Sequence, residues 1–183
     1  MINKNISCCF TGYRPEKFPF PLSRDNADFL KFENGLIKTV CTLCDNGCYT
    51  FYSGMAMGFD IVAAECVLLA RELYGKAGIR LICAIPFIEQ SKNFPAKWLE
   101  RYNTIISAAD ETILISDKYY RGCYDKRNKF MVDNSDYVVT WFDGHAGGTK
   151  NTVNYAKKSG RAVINLNDEA DIKPYTEYSV IME

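Results

Sequence analysis

The sequence predicts an α/β fold: a Rossmann-like, doubly wound, mostly parallel sheet with helices on both faces. Three observations predict it. Short apolar runs rich in β-branched and aromatic residues alternate with longer segments of helical period. The β-α unit repeats about five times and ends on a strand. The apolar runs are near-continuous rather than alternating, as expected of parallel strands covered on both faces. Right-handed crossovers then lead to the doubly wound arrangement.

The elements follow in order. Ile6–Thr11 reads as the first strand, ended by Gly12. After the Pro-rich stretch Pro15–Pro21, Ser23 or Asp25 can cap a helix that runs to about Cys44. Asp45-Asn46-Gly47 turns the chain into a second strand, Cys48–Ser53. From Phe59 to about Tyr74, Ile61, Ala64, Cys66, Leu68, Leu69 and Leu73 give a helix with a wide apolar face, stopped by Gly75 and Gly78. Ile79–Ile85 is a strand closed by Pro86, and Trp98–Ala108 a helix. Glu111–Ser116, Tyr137–Phe142 and Ala162–Leu166 read as strands, separated by helices at Asp125–Asp133 and Thr149–Lys158. The tail from Asn167 is acidic and polar. No linker, repeat or second domain is visible, so one domain is expected, with a core at about residues 5–166.

The 183 residues hold 22 Lys+Arg, 22 Asp+Glu and one His. A neutral total argues against a broad polyanion-binding surface, and a nucleic-acid partner is not expected. A small phosphate site built from backbone N–H groups remains compatible with it. No stretch reaches the ~18 apolar residues of a membrane span, and the N-terminus shows no leader pattern. A cytoplasmic chain with reduced cysteines is therefore expected. Cys8, Cys9, Cys66 and Cys83 read as small core residues. Cys41, Cys44 and Cys48 lack the fourth ligand of a zinc site, and no metal is expected.

In such sheets ligands bind beyond the carboxyl ends of the strands. The first strand ends in Thr11, Gly12, Tyr13 and Arg14, which offer a hydroxyl, close backbone approach, a stacking face and a phosphate fork, or simply a tight turn. The second ends Ser53-Gly-Met-Ala-Met-Gly-Phe-Asp60, where Ser53, Gly54, Met55 and Gly58 lead straight into a helix. Its glycine spacing is neither GxGxxG nor a Walker loop. Asp60 either caps that helix or holds a ribose hydroxyl, and Glu65 is either paired or functional. The third ends in Pro86 and Phe87, which can wall a base pocket with Gln90 as a hydrogen-bonding partner. Tyr119, Tyr120, Arg121, Tyr124, Lys126, Arg127, Asn128 and Lys129 form an aromatic-basic cluster after the fourth strand. After the fifth, Asp143-Gly144 turns the chain, and Gly147-Gly148-Thr149 opens a helix as a backbone nest, the best phosphate signal in the chain.

Ser53-Gly-Met-Ala-Met-Gly-Phe-Asp60 resembles the SGxAxGxD turn of the DprA/Smf DNA-processing proteins. Arg127-Asn-Lys-Phe-Met-Val-Asp133, followed by an apolar strand and Gly147-Gly148-Thr149, resembles the LOG phosphoribohydrolases. Both belong to the SLOG superfamily of Rossmann-like nucleotide-ligand domains. Together with Cys9-Phe-Thr-Gly-Tyr-Arg-Pro15 and Ile85-Pro-Phe-Ile-Glu-Gln90, these runs are most similar to its YpsA/YoqJ-like branch. The resemblance covers about residues 5–166. It implies a pocket for ADP-ribose, NAD or a similar nucleotide, and a homodimer or a protein partner by analogy. The LOG enzymes carry Glu where this chain has Phe130 and Thr152, so their two carboxylates are absent. Binding or sensing of a nucleotide ligand is thus the first expectation. A phosphoribohydrolase or N-glycosidase, using Glu65, Asp60 or Asp143 as its carboxylate, is the alternative. Single-stranded DNA binding of the DprA kind is the second alternative.

Overall fold

A computed structural model describes residues 6–75 and 78–176. The residues before Ile6, read above for a leader, and those after Thr176 lie outside it. Six strands form one all-parallel sheet: β1 (Ile6–Gly12), β2 (Cys48–Ser53), β3 (Arg80–Ile85), β4 (Glu111–Leu114), β5 (Tyr137–Trp141) and β6 (Ala162–Asn165). The order across the sheet is β4-β3-β2-β1-β5-β6. The chain winds outward from β1 to β4, then crosses to the other side of β1 to lay down β5 and β6. The switch point therefore lies between the carboxyl ends of β1 and β5.

The helices are α1 (Ala27–Asp45), α2 (Phe59–Leu73), α3 (Ala96–Ala108), α4 (Cys123–Asp133), α5 (Gly148–Lys158) and α6 (Glu169–Thr176). Alternation along β1 sorts the core. Cys8 and Phe10 join the larger cluster with Leu36, Val40, Phe51, Phe59 and Leu81, under α1 and α2. Cys9 points the other way, into a smaller cluster with Met131, Val132, Val138 and Ala156, under α4 and α5. Burying these rings and aliphatic chains supplies most of the driving force for the sandwich.

Several boundaries differ from the sequence reading. Asn26, not Ser23 or Asp25, caps α1: its Oδ1 accepts from the backbone N–H of Asp28 and Phe29 at 3.0 Å each. Ser23 Oγ instead donates to Asp25 at 3.3 Å. The third helix begins after Pro95, whose carbonyl accepts from the backbone N–H of Trp98 and Leu99, and the fourth begins at Cys123 after Gly122. β4 ends at Leu114, two residues early. The polar tail contains α6, which packs beside α1. No described helix is long and apolar enough to cross a membrane. Among the described residues no group of three or more His, Cys, Asp or Glu side chains could hold a metal ion. Cys44 and Cys48 flank the α1–β2 turn inside the core, where burial pushes both thiols up to about 12.

Candidate functional site

A cleft of about 210 Å³ opens at the switch point. It is lined by Thr11, Gly12, Tyr13, Arg14, Lys17, Ala56, Asp60, Tyr124, Arg127, Asn128, Gly148 and Thr149. Four separate segments thus supply it: the β1 end, the β2–α2 turn, α4 and the start of α5. Each segment is local in sequence, and only the doubly wound topology brings them together.

At its base lies Arg127. The side chain is 5% exposed, and its Nη1 is 3.7 Å from Asp60 Oδ2, itself on a 7% exposed side chain. Nη1 also donates to the Gly54 carbonyl, and Nε to Asn128 Oδ1 at 2.8 Å. Burial pushes the Asp60 carboxyl above its ordinary range, opposed by Arg127, the Ala56 N–H and Arg14. Burial also lowers the guanidinium of Arg127, with Asp60 opposing. A guanidinium stays charged in a protein, so this is a fixed positive charge at the floor of the cleft. Asn128 Nδ2 donates to Thr152 Oγ1 at 2.9 Å, and that hydroxyl donates to the Gly148 carbonyl at 2.9 Å. The chain Arg127–Asn128–Thr152–Gly148 therefore ties α4 to the first turn of α5.

The rim is tied as well. Thr149 Oγ1 donates to the Gly12 carbonyl at 3.1 Å, joining α5 to β1. The Tyr13 hydroxyl donates to Asp143 Oδ1, which also accepts from the His145 backbone N–H at 3.1 Å and lies 2.7 Å from its Nδ1. These donors hold the Asp143 carboxyl down at about 2. Arg14 stands in the wall of the cleft with its guanidinium 6.0 Å from the Tyr124 ring centre.

The glycines divide sharply. A Cβ on Gly12 would lie 2.3 Å from the Phe59 ring, one on Gly54 would lie 1.7 Å from Arg127 Nη1, and one on Gly58 would lie 2.5 Å from the Tyr13 carbonyl. Those three glycines serve close packing between segments of the chain itself. A Cβ on Gly148 or Gly144 would meet nothing, and one on Gly147 would approach only Lys17 Nζ, at 3.5 Å. Gly147, at φ 152° and ψ −171°, holds a conformation essentially reserved for glycine as it opens α5.

Apart from Tyr13, the other residues singled out in the sequence lie outside the lining of the cleft. Ser53 is fully buried: its Oγ donates to the Asp60 carbonyl at 2.9 Å and accepts from the Met55 N–H at 3.2 Å. Met55 is buried at φ 54°, a left-handed turn residue within this fold of the chain. Tyr13 is 5% exposed, with Phe142 edge-on to its ring and Lys17 against its face. Asp143 and Gly144 line a neighbouring hollow toward β6. Pro86 is buried, and Phe87 lies in a side cavity next to the cleft. Glu65 lies outside the cleft, in a hollow near α1 and α3. There Arg101 grips both of its oxygens, at 2.7 and 2.6 Å, so the carboxylate is a paired one. Phe130 stands edge-on to Tyr52. The Asn128–Thr152 link escaped sequence reading, although a Thr four residues after a helix-opening Gly is a recognisable back-bonding pattern.

Comparison with known proteins places these features. The family model YpsA, described as "YspA SLOG family", matches residues 8–167. An uncharacterized SPbeta prophage-derived protein, YoqJ of Bacillus subtilis (strain 168), is 33% identical over 147 residues, covering 73% of this chain and 85% of that protein. The UPF0398 protein YpsA of the same organism is 23% identical over 141 residues, covering 76% and 77%. Among solved structures, DNA processing protein A from Helicobacter pylori, described for its single-stranded DNA binding mode, superposes with a TM-score of 0.58 at 20% identity. DprA from Streptococcus pneumoniae superposes with a TM-score of 0.58 at 18% identity. Both superpositions cover 88% of this chain, but it spans only 65% and 50% of those two proteins. These likenesses show the shared Rossmann-like fold.

Proposed function

The chain belongs to the YspA SLOG family, and from that premise we propose that it binds a small nucleotide-derived ligand, such as ADP-ribose or NAD, in the cleft between β1 and β5. The observation that carries this reading is the pairing of a buried, fixed Arg127 with the open Gly147-Gly148-Thr149 start of α5 across one cleft. A helix N-terminus presents unpaired N–H groups and a partial positive charge to an anion. Gly148 keeps that approach free of side chains. Arg127, already held by Asp60 and Asn128, offers its guanidinium without the entropy cost of ordering a surface side chain, and Arg14 adds a second at the rim. Thr11 and Asn128 offer hydrogen bonds to ligand oxygens. Such a site neutralises a phosphate or diphosphate and needs no basic surface, which agrees with the balanced charge of the chain.

The test is thermal unfolding of the full chain with AMP, NAD and ADP-ribose. A ligand at a hundred times its Kd stabilises by ~2.7 kcal/mol. Arg14→Ala should weaken binding about tenfold while leaving the unliganded Tm in place, since Arg14 is only partly buried. A flat panel of melting curves rejects the reading.

One observation favours a second reading. Asp60 is a carboxylate in the cleft whose burial favours its protonated form. A raised acid beside a bound ribosyl group is what N-glycosidic cleavage uses to protonate a leaving base. Incubation with AMP, NAD and ADP-ribose, followed by assay for free base or ribose phosphate, separates the two. Turnover lost in Asp60→Asn with binding retained supports hydrolysis, and no product from any nucleotide leaves binding alone.

A further inference from the structure

Four of the eight large apolar side chains that stand exposed among the described residues lie at or just past the carboxyl ends of β3 and β4. They are Ile88 at 62%, Tyr119 at 64%, Leu114 at 42% and Tyr120 at 41%. Exposed apolar side chains scattered singly need no explanation, but a concentration on one corner marks a contact surface. The two loops meet there: the Tyr119 ring centre is 5.4 Å from that of Phe87, the neighbour of Ile88.

The corner is ordered by its own contacts. Tyr119 is braced by Phe87 at 77° and by Tyr124 at 61°, the second 6.5 Å away. Ser116 Oγ donates to the Lys118 carbonyl at 2.8 Å, and the Cys123 N–H donates to the Tyr120 carbonyl at 3.1 Å, which ties the loop at both ends. A side chain already held loses little rotamer freedom on contact, which favours it as an anchor. The three rings engage one another edge to face. They therefore do not offer the row of free faces on which successive bases stack.

The charges around the corner choose the kind of partner. Lys118 and Arg121 bracket the two tyrosines, Lys126 follows in the first turns of α4, and all three are exposed. No ion pair engages them among the described residues. The nearby acids are largely spoken for: Glu89 pairs with Lys92 at 2.8 Å and Asp125 with Lys129 at 2.9 Å. Asp117 alone is left against three spare cations. We infer that this corner docks a protein partner through an acidic segment that carries aliphatic or aromatic side chains. Its apolar anchors settle on Ile88, Tyr119 and Tyr120, and the flanking Asp or Glu residues meet Lys118 and Arg121.

The experiment selects short random peptides, displayed on phage, against the full chain and measures the enriched ones by calorimetry. Enriched peptides should combine an excess of Asp and Glu with aliphatic or aromatic residues. Ile88→Ser with Tyr119→Ser should weaken them about tenfold or more, and so should Lys118→Glu with Arg121→Glu. All four side chains are exposed, so both double variants should keep the parent Tm. Peptides remade with Lys in place of their acids should regain affinity for the charge-reversed variant, which mere damage to the fold would not allow. No enrichment, enrichment of basic peptides, or undiminished binding by both variants overturns the proposal. An oligo-dT strand that binds and is lost in the same variants would make the corner a nucleic-acid surface. A parent dimer that sediments as a monomer once Ile88 and Tyr119 are replaced would make the occupant a second copy. Either result also overturns it.

Discussion

The two glycine-rich turns at the sheet's carboxyl edge look alike as strings of letters and do opposite work. In the β2–α2 turn, Gly54 and Gly58 admit Arg127 and the Tyr13 backbone into contact with the chain. In the β5–α5 turn, Gly148 faces open space beside the same Arg127. The first turn is scaffold and the second is aperture. Glycine spacing reports that something approaches the backbone closely, but not whether that something is the protein or its ligand.

Substitutions can break or sharpen this contrast. The largest effect belongs to Gly54→Ala. Its Cβ would lie 1.7 Å from the buried Arg127 guanidinium, which would have to leave its contacts with the Gly54 carbonyl and Asp60. Displacing it opens the Arg127–Asp60 pair, and we expect a loss of about 3 kcal/mol or more in urea unfolding. Survival of Gly54→Ala with an unchanged midpoint would falsify the scaffold assignment. Next is Thr152→Val, which leaves Asn128 Nδ2 without its acceptor and should cost about 1–2 kcal/mol. Because Asn128 orients Arg127, nucleotide affinity should fall with it. Gly148→Ala should leave stability within about 0.5 kcal/mol of the parent, or raise it slightly, since Ala is the better helix former. The same change should reduce nucleotide affinity roughly tenfold by calorimetry. Unaltered binding there would make the second turn scaffold as well.

The smallest effect is a pH dependence at the rim. Asp143 is held at about 2 in the folded chain, against an ordinary value near 3.8. The stabilisation from its bonds to Tyr13 and His145 is thus fully present above about pH 4 and lost as pH falls toward 2. The Tm of Asp143→Asn and of the parent should differ near neutrality and converge at the acid end. Parallel curves down to pH 2 would remove the rim contact.

Much of this architecture was legible in the sequence. The bounds of β2, Cys48–Ser53, follow from its apolar run and the Asp45–Gly47 turn. The cap of α1 was misplaced because Ser23, Asp25 and Asn26 are all good cap residues, and only the backbone path decides among them. The α6 helix was missed because Pro174 and a polar composition hide its period, and it depends on packing beside α1. Of the site, Arg127, Asp60, Thr149 and Gly148 do line one cleft. Glu65 was separated from them by information the sequence lacks, namely that Arg101, 36 residues away, closes on it. Gln90 was legible as a hydrogen-bonding residue, but its grip on the Gly54 and Met55 carbonyls was not.

The strand order carries a kinetic consequence. β1 pairs with β2 on one side and with β5 on the other, and Cys8 of β1 lies beside Tyr137 of β5. At about 5–20 residues per second, a ribosome finishes β1 many seconds before β5 exists. The first four strands can gather while the future cleft has only one bank. Closing it demands the most distant pairing at the centre of the sheet, so it should be among the late events of folding. A nascent chain released too early would carry most of the sheet and only half of the cleft.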